Sequence, residues 1–159
     1  MTNLCAELAD RLNGRTVATA ESCTGGGIGV AITSVSGSSA FFKGGVISYN
    51  NWVKENVLGV KRTDLCNKGA VSATVAEQMA IGVRRLLRSS IAVSATGIAG
   101  PNSDEFATPV GTVFIGYCDS SKSYAKEYHF SGDREDVRQS AIMAALELII
   151  SECKKKPGC

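Results

Sequence analysis

The sequence has a single histidine, no Cys-x-x-C pair, and no apolar stretch approaching the ~20 residues needed to span a bilayer. Each shortage removes a class of protein. With His129 alone, Ser–His–Asp and Cys–His chemistries have only one imidazole to run through. That residue lies in Tyr128-His129-Phe130, near the end of an expected strand, where a structural or surface role is ordinary. One histidine, dispersed cysteines and no H-E-x-x-H pattern make a poor ligand set, so no zinc site is expected. The cysteines (Cys5, Cys23, Cys66, Cys118, Cys153 and Cys159) are scattered along 159 residues, a chain long enough to fold without disulfide staples. Met1 to Glu7 shows no basic region followed by an apolar run, so no secretory signal is expected and a reducing cytoplasm is the expected compartment. A net charge of +2 implies no polyanion, so neither a nucleic-acid nor a membrane partner is expected. A small anionic substrate remains compatible with it.

The pattern that is present alternates helices and strands. Leu4, Leu8 and Leu12 recur at helical spacing and Gly14 follows as a stop. The β-branched run Thr16–Ala20 reads as a buried strand that leads directly into Glu21-Ser22-Cys23-Thr24-Gly25-Gly26-Gly27. Ile28–Val35 then reads as a helix. This order puts the glycine-rich loop at a carboxyl end of the sheet, where open α/β sheets bind their ligands. Ser36–Ser39 is a turn and Gly45–Tyr49 a second strand. Asn50 caps a short helix to about Val57, closed by Gly59. The segment Leu65–Gly69 reads as irregular, and Ser72 starts a long helix with Val75, Met79, Val83 and Leu86 as its apolar stripe. Ile91–Thr96 is a strand followed by the turn Gly97–Pro101, and Asn102–Thr108 reads as a mobile surface loop. Val110–Cys118 and Ser123–Phe130 form an antiparallel pair, and Asp133 begins a final helix. The expectation is an α/β protein, a single-domain three-layer αβα sandwich with a mixed sheet over residues 1–153 and a disordered tail over 154–159. Exposed apolar residues such as Trp52 are compatible with a homodimer.

Within this frame Ser22 is placed for chemistry. It sits where strand gives way to helix, and the backbone N–H groups of Cys23, Thr24 and Gly25 are expected to cluster at a helix N-terminus. Such donors stabilise an oxyanion or hold a phosphate. A tight turn with no chemistry is an equal reading on spacing alone. A serine without histidine needs another base, and lysine is the usual substitute once its pKa falls from ~10.4 to about 7–8. Lys54 lies on the helix after the second strand, and Tyr49 at that strand's end could relay a proton. Spacing alone reads Lys54 as a solvated surface lysine. Cys23 is a rival nucleophile, or a small packing residue. Thr96-Gly97 and Gly100-Pro101 form the opposite lip. Arg134 and Arg138 either pair with a substrate phosphate or are structural.

Several ordered segments together resemble one family. They are Ala20–Gly26, Gly37-Ser38-Ser39, Phe42–Asn50, Lys54, Leu58-Gly59-Val60, Gly69–Ser72, Ala95–Pro101, Pro109–Val113 and Phe130–Arg134. The chain is similar over nearly its whole length to the CinA C-terminal domain family, whose characterised enzymes are PncC-type nicotinamide mononucleotide amidohydrolases. The resemblance implies hydrolysis of that nucleotide's carboxamide to nicotinate mononucleotide and ammonia, in recycling of NAD breakdown products. It also implies Ser22 as nucleophile with Lys54 and Tyr49 as partners, and no metal or organic cofactor. Cys23, Thr24, Gly25, Gly26, Thr96, Gly97 and Arg134 are the expected substrate contacts. The alternative is a catalytically silent nucleotide-binding module linked to competence or DNA damage. The chain departs from the family at Ser36, where proline is common, and at Asn102–Thr108, where two acids stand and a lysine is missing. The large N-terminal domain of full-length CinA proteins, and its pyrophosphatase activity, are not expected here.

Overall fold

The computed structural model describes residues 1–154. The helices are α1 (Thr2–Leu12), α2 (Gly27–Thr33), α3 (Asn51–Asn56), α4 (Arg62–Lys68), α5 (Ala73–Leu87) and α6 (Arg134–Lys154). The strands are β1 (Val17–Glu21), β2 (Phe42–Ile47), β3 (Ile91–Gly97), β4 (Thr112–Cys118) and β5 (Ser123–His129), with a 3-10 turn at Ser38–Ala40. They form one five-stranded sheet in the order β2-β1-β3-β4-β5. β1 is parallel to both β2 and β3, whereas β4 runs antiparallel to β3 and to β5. The expected mixed sheet and three layers are therefore present.

Alternation along β1 explains the layers. All five of its residues are buried, because the strand is covered on both faces. Val17 joins the core formed with α1, α2 and α6, including Leu8, Ile32, Ala145 and Ile149. Ala18 and Ala20 face the second core with Val75, Met79 and Val83 of α5 and with Leu58 and Leu65. Each large aliphatic side chain fully buried in these cores contributes roughly 1.5–3 kcal/mol.

Several sequence-based boundaries shift. Residues 62–68 are a helix rather than irregular chain, with Asp64 in the first turn and the Gly69 N–H returning to the Leu65 carbonyl. The segment is too short to show helical periodicity, and only Leu65 is buried. β2 begins at Phe42 and ends at Ile47, because pairing starts where the Val17 N–H meets the Phe41 carbonyl. Tyr49 consequently lies in the connection to α3. β4 starts at Thr112, two residues late, and α2 ends at Thr33. The loop 102–108 is tied down locally: the Asp104 carboxylate accepts from the amides of Phe106 and Thr108 and from the Thr108 hydroxyl. Lys154 belongs to α6, and the rest of the expected tail lies outside the described residues.

One helix–loop contact fixes the approach of α3. Gly82, inside α5, lies so close to the Leu58 carbonyl that an added Cβ would run into it. Leu58 lies two residues beyond α3 and its N–H returns to the Val53 carbonyl (3.3 Å), so this contact holds the C-terminal end of α3 against α5. Alanine is the better helix former by about 1 kcal/mol, yet here it would have to push the loop away. Gly82→Ala is therefore expected to lower stability by roughly 1–3 kcal/mol, measured by urea unfolding; a more stable variant would show that the contact is slack.

Candidate active site

The register of the parallel strands sets the site. Glu21 of β1 stands level with Ile47 of β2 and Ala95 of β3, so Ser22 and Ser48 emerge side by side at the carboxyl edge. The Ser22 N–H donates to the Ala95 carbonyl (2.9 Å) and the Ser48 N–H to the Glu21 carbonyl (2.8 Å). Both serine backbones are thus fixed as continuations of the sheet. Asn50 caps α3 by accepting from the Trp52 N–H at 2.8 Å, as expected from its residue type. This short helix turns Lys54 inward.

Lys54 is 1% exposed, among the most buried large side chains in the fold. Its ammonium nitrogen lies 3.0 Å from the Ser22 hydroxyl and 2.6 Å from the Ser48 carbonyl, donating to both. Neither acceptor carries charge. Burial pushes the Lys54 amine down to about 8, against a smaller opposing influence from Cys23. The expectation of a surface lysine from spacing is overturned by this geometry.

The glycine-rich loop is built differently from the expected anion cradle. Glu21 is 2% exposed and its carboxylate accepts from the Thr24 hydroxyl (2.7 Å), the Ile28 N–H (2.9 Å) and the Gly29 N–H (2.9 Å). The start of α2 is therefore already capped by the protein's own anion, as a helix N-terminus favours. The Gly25 N–H is also used, by the Ser22 carbonyl at 3.0 Å. Among the described residues the Thr24 N–H has no acceptor. Gly26 needs its residue type because its φ is +97°, and a Cβ at Gly27 would displace the end of the Ile142 side chain of α6.

The remaining expected site residues divide. The Thr24 side chain is fully buried on Glu21, and the Thr96 hydroxyl donates to the Ala70 carbonyl (2.8 Å), so both brace the site rather than face a ligand. Gly97 packs on Val113, where a Cβ would not fit. Burial pushes the Cys23 thiol up to about 11, outweighing the hydrogen bond from its own amide, so it is a packing residue and not the rival nucleophile. Tyr49 is 61% exposed, and its hydroxyl is held by Arg134 Nη2 at 3.1 Å rather than by Lys54 or Ser22. Arg134 also donates to the Gly100 carbonyl (2.6 Å), joining the two lips that sequence placed on opposite sides. His129 lies on the far edge strand, three strand spacings or about 14 Å across the sheet from β1, with Glu127 and Thr112 as partners. It has no part in activating Ser22. Among the described residues no group of three or more potential ligands could hold a metal.

Sequence reasoning passed over Glu21 and Ser48. An acid ending an apolar strand just before a helix start was a signal for Glu21. Nothing in the residue type signalled Ser48, whose contribution is a backbone carbonyl.

Fold and site together define an α/β domain with a buried Ser–Lys pair at the carboxyl edge of a mixed sheet. The chain belongs to the CinA C-terminal domain family, whose model matches residues 1–153. A CinA-like protein of Picosynechococcus is 49% identical over 140 residues, covering 86% of this chain and 33% of that protein. A putative competence-damage inducible protein of Thermoanaerobacter pseudethanolicus is 43% identical, with 86% and 33% covered. The chain thus spans about a third of the length of these curated relatives. Among solved structures, the competence damage-inducible protein A of Klebsiella pneumoniae superposes with a TM-score of 0.95 at 33% identity, covering 98% of each chain. A competence/damage inducible protein of Agrobacterium tumefaciens gives 0.86 at 37% identity, covering 93% of this chain and 94% of that one. No helix among the described residues is long and apolar enough to cross a membrane.

The lysine has a thermodynamic signature. Its folded value, about 8, lies below the unfolded value near 10.5, so between those pH values the unfolded state binds more protons. Stability from this group therefore rises as pH climbs from about 8 to 10.5, and the full penalty is present below 8. Lys54→Met removes the titration. The difference in unfolding free energy between wild type and Lys54→Met should change across that window in favour of wild type, by up to roughly 3 kcal/mol. A difference independent of pH would place the amine in water.

Proposed function

We propose that the protein is an amidohydrolase that converts nicotinamide mononucleotide and water to nicotinate mononucleotide and ammonia. The reading is carried by the 3.0 Å contact between the Lys54 amine and the Ser22 hydroxyl, with the amine buried and without a carboxylate among its hydrogen-bond partners. Membership of the CinA C-terminal domain family supports it.

The chemistry follows from those positions. Neutral Lys54 accepts the hydroxyl proton as the Ser22 oxygen attacks the carboxamide carbon. The Ser48 carbonyl orients the amine and balances the ammonium that forms. The protonated lysine then hands its proton to the departing nitrogen, the carbon–nitrogen bond breaks, and ammonia leaves an acyl-enzyme. Water, deprotonated by the same amine, releases the acid. No metal or organic cofactor is needed to balance these steps. Tyr49 acts in this scheme through Arg134, not as a direct relay. The substrate is a small nucleotide, and a second copy of the chain is a further expected partner through exposed residues such as Trp52 and Ile47.

The departure at residues 102–108 keeps a second reading in view, a module that binds nucleotide without turnover. Asp104 is spent on building the loop, which reduces the negative charge it presents to a ligand. Incubation of the purified protein with nicotinamide mononucleotide should release ammonia; binding without release would select the silent module. Ser22→Ala should lower kcat at least ~1,000-fold while the circular dichroism spectrum is unchanged. Because the neutral amine is the active form, kcat/KM should rise with pH through about 8 and then level off. A rate independent of pH between 6 and 9 would remove Lys54 as the base.

A further inference from the structure

Arg138 lies on α6, one turn beyond Arg134, and reaches the glycine-rich loop. Its Nε donates to the Cys23 carbonyl (3.2 Å) and its Nη2 to the Thr24 carbonyl (3.3 Å). Nη1 pairs with Glu135 at 3.0 Å, which sets the plane of the guanidinium. All three nitrogens thus have acceptors within the protein, and the planar fork is aimed at two successive carbonyls of the loop.

A trans peptide places each carbonyl opposite the N–H of the next residue. Holding the Cys23 and Thr24 carbonyls toward α6 therefore turns the Thr24 and Gly25 N–H groups away from it. The Gly25 N–H confirms this direction, since it meets the Ser22 carbonyl. The Thr24 N–H, turned the same way and lacking an acceptor among the described residues, is a free donor of the loop two residues from the nucleophile. A guanidinium on the carbonyl side also polarises that peptide and strengthens its N–H as a donor.

We propose that Arg138 is a positioning residue for the hydrolysis, fixing and polarising the Cys23–Thr24 peptide so that the Thr24 amide stabilises the developing oxyanion. This rests on the amidase reading. It assigns Arg138 a role other than gripping the substrate phosphate, because each of its three nitrogens is already engaged by the protein. Backbone bonds hold the neighbouring groups, from the Gly25 N–H to the Ser22 carbonyl and from the Gly27 N–H to the Thr24 carbonyl (both 3.0 Å), whereas the Cys23 carbonyl of that peptide takes its hydrogen bond from Arg138.

The test compares wild type, Arg138→Lys, Arg138→Gln and Arg138→Ala. Loss of the loop's alignment should lower kcat on nicotinamide mononucleotide about ten- to a hundredfold, with KM within about threefold. Arg138→Lys, which can still reach one carbonyl, should recover part of the loss. A raised KM with unchanged kcat would assign Arg138 to the phosphate, and full activity in Arg138→Gln would overturn the proposal. The 1H–15N resonance of the Thr24 amide supplies a readout independent of turnover. It should move upfield in Arg138→Gln more than the amides of Ile28 and Gly29, which Glu21 holds. An unmoved Thr24 resonance would also overturn the proposal. If wild type releases no ammonia, the amidase reading fails while this resonance still decides whether Arg138 polarises the peptide. Should Arg138→Ala not fold, the Lys and Gln variants carry the same comparison.

Discussion

An ammonium ion inside a protein is costly unless an opposing charge accompanies it, and Lys54 is placed where its hydrogen-bond partners are neutral oxygens. Much else in the local structure serves that placement. The short helix α3 is started by Asn50 and the residues after it are held on α5 through the glycine at position 82, and the helix turns the Lys54 side chain inward. The parallel pairing of β1 with β2 brings the Ser48 carbonyl level with Ser22, so that one amine reaches both. A carboxylate at either position would have stabilised the fold and raised the lysine's pKa, leaving it protonated and useless as a base.

Glu21 shows the complementary solution. Its carboxylate is equally buried, but it accepts from two helix amides and a hydroxyl, the surroundings an anion needs. It also takes up the donors at the start of α2 that an incoming ligand would otherwise use. The glycine loop is therefore divided in function along its length. Its helical end is closed on Glu21, and its strand end holds the nucleophile with the Thr24 amide still open.

The layers, the sheet and the loop at its carboxyl edge were readable because each long element carries a repeated signal, such as Val75, Met79 and Val83 on α5. Asn50 and Ser72 act as caps because their side chains reach nearby amides. What sequence reading missed is set by contacts distant along the chain. The burial of Lys54 depends on Ser22, 32 residues away, so no local pattern separates it from a solvated lysine. The family resemblance supplied that residue, and the geometry explains it. Tyr49 was misplaced because β2 ends two residues earlier than its apolar run suggested, which moved the hydroxyl from the lysine to Arg134. The roles of Arg138 and Ser48 run through backbone carbonyls, which residue identity does not report.

The lysine's displacement has a quantitative consequence for the reaction. At pH 7 an amine titrating at 10.5 is neutral in roughly one molecule in 3,000, whereas one titrating near 8 is neutral in about one in 11. Burial thus raises the reactive fraction roughly 300-fold before any other effect acts. A still deeper desolvation would increase that fraction further but weaken the amine as a base, and Brønsted behaviour then reduces its pull on the serine proton. A value close to ambient pH balances the two. The neutral partners of Lys54 are what allow it, because they hold the amine in line with Ser22 without adding the charge that would return it to its protonated state.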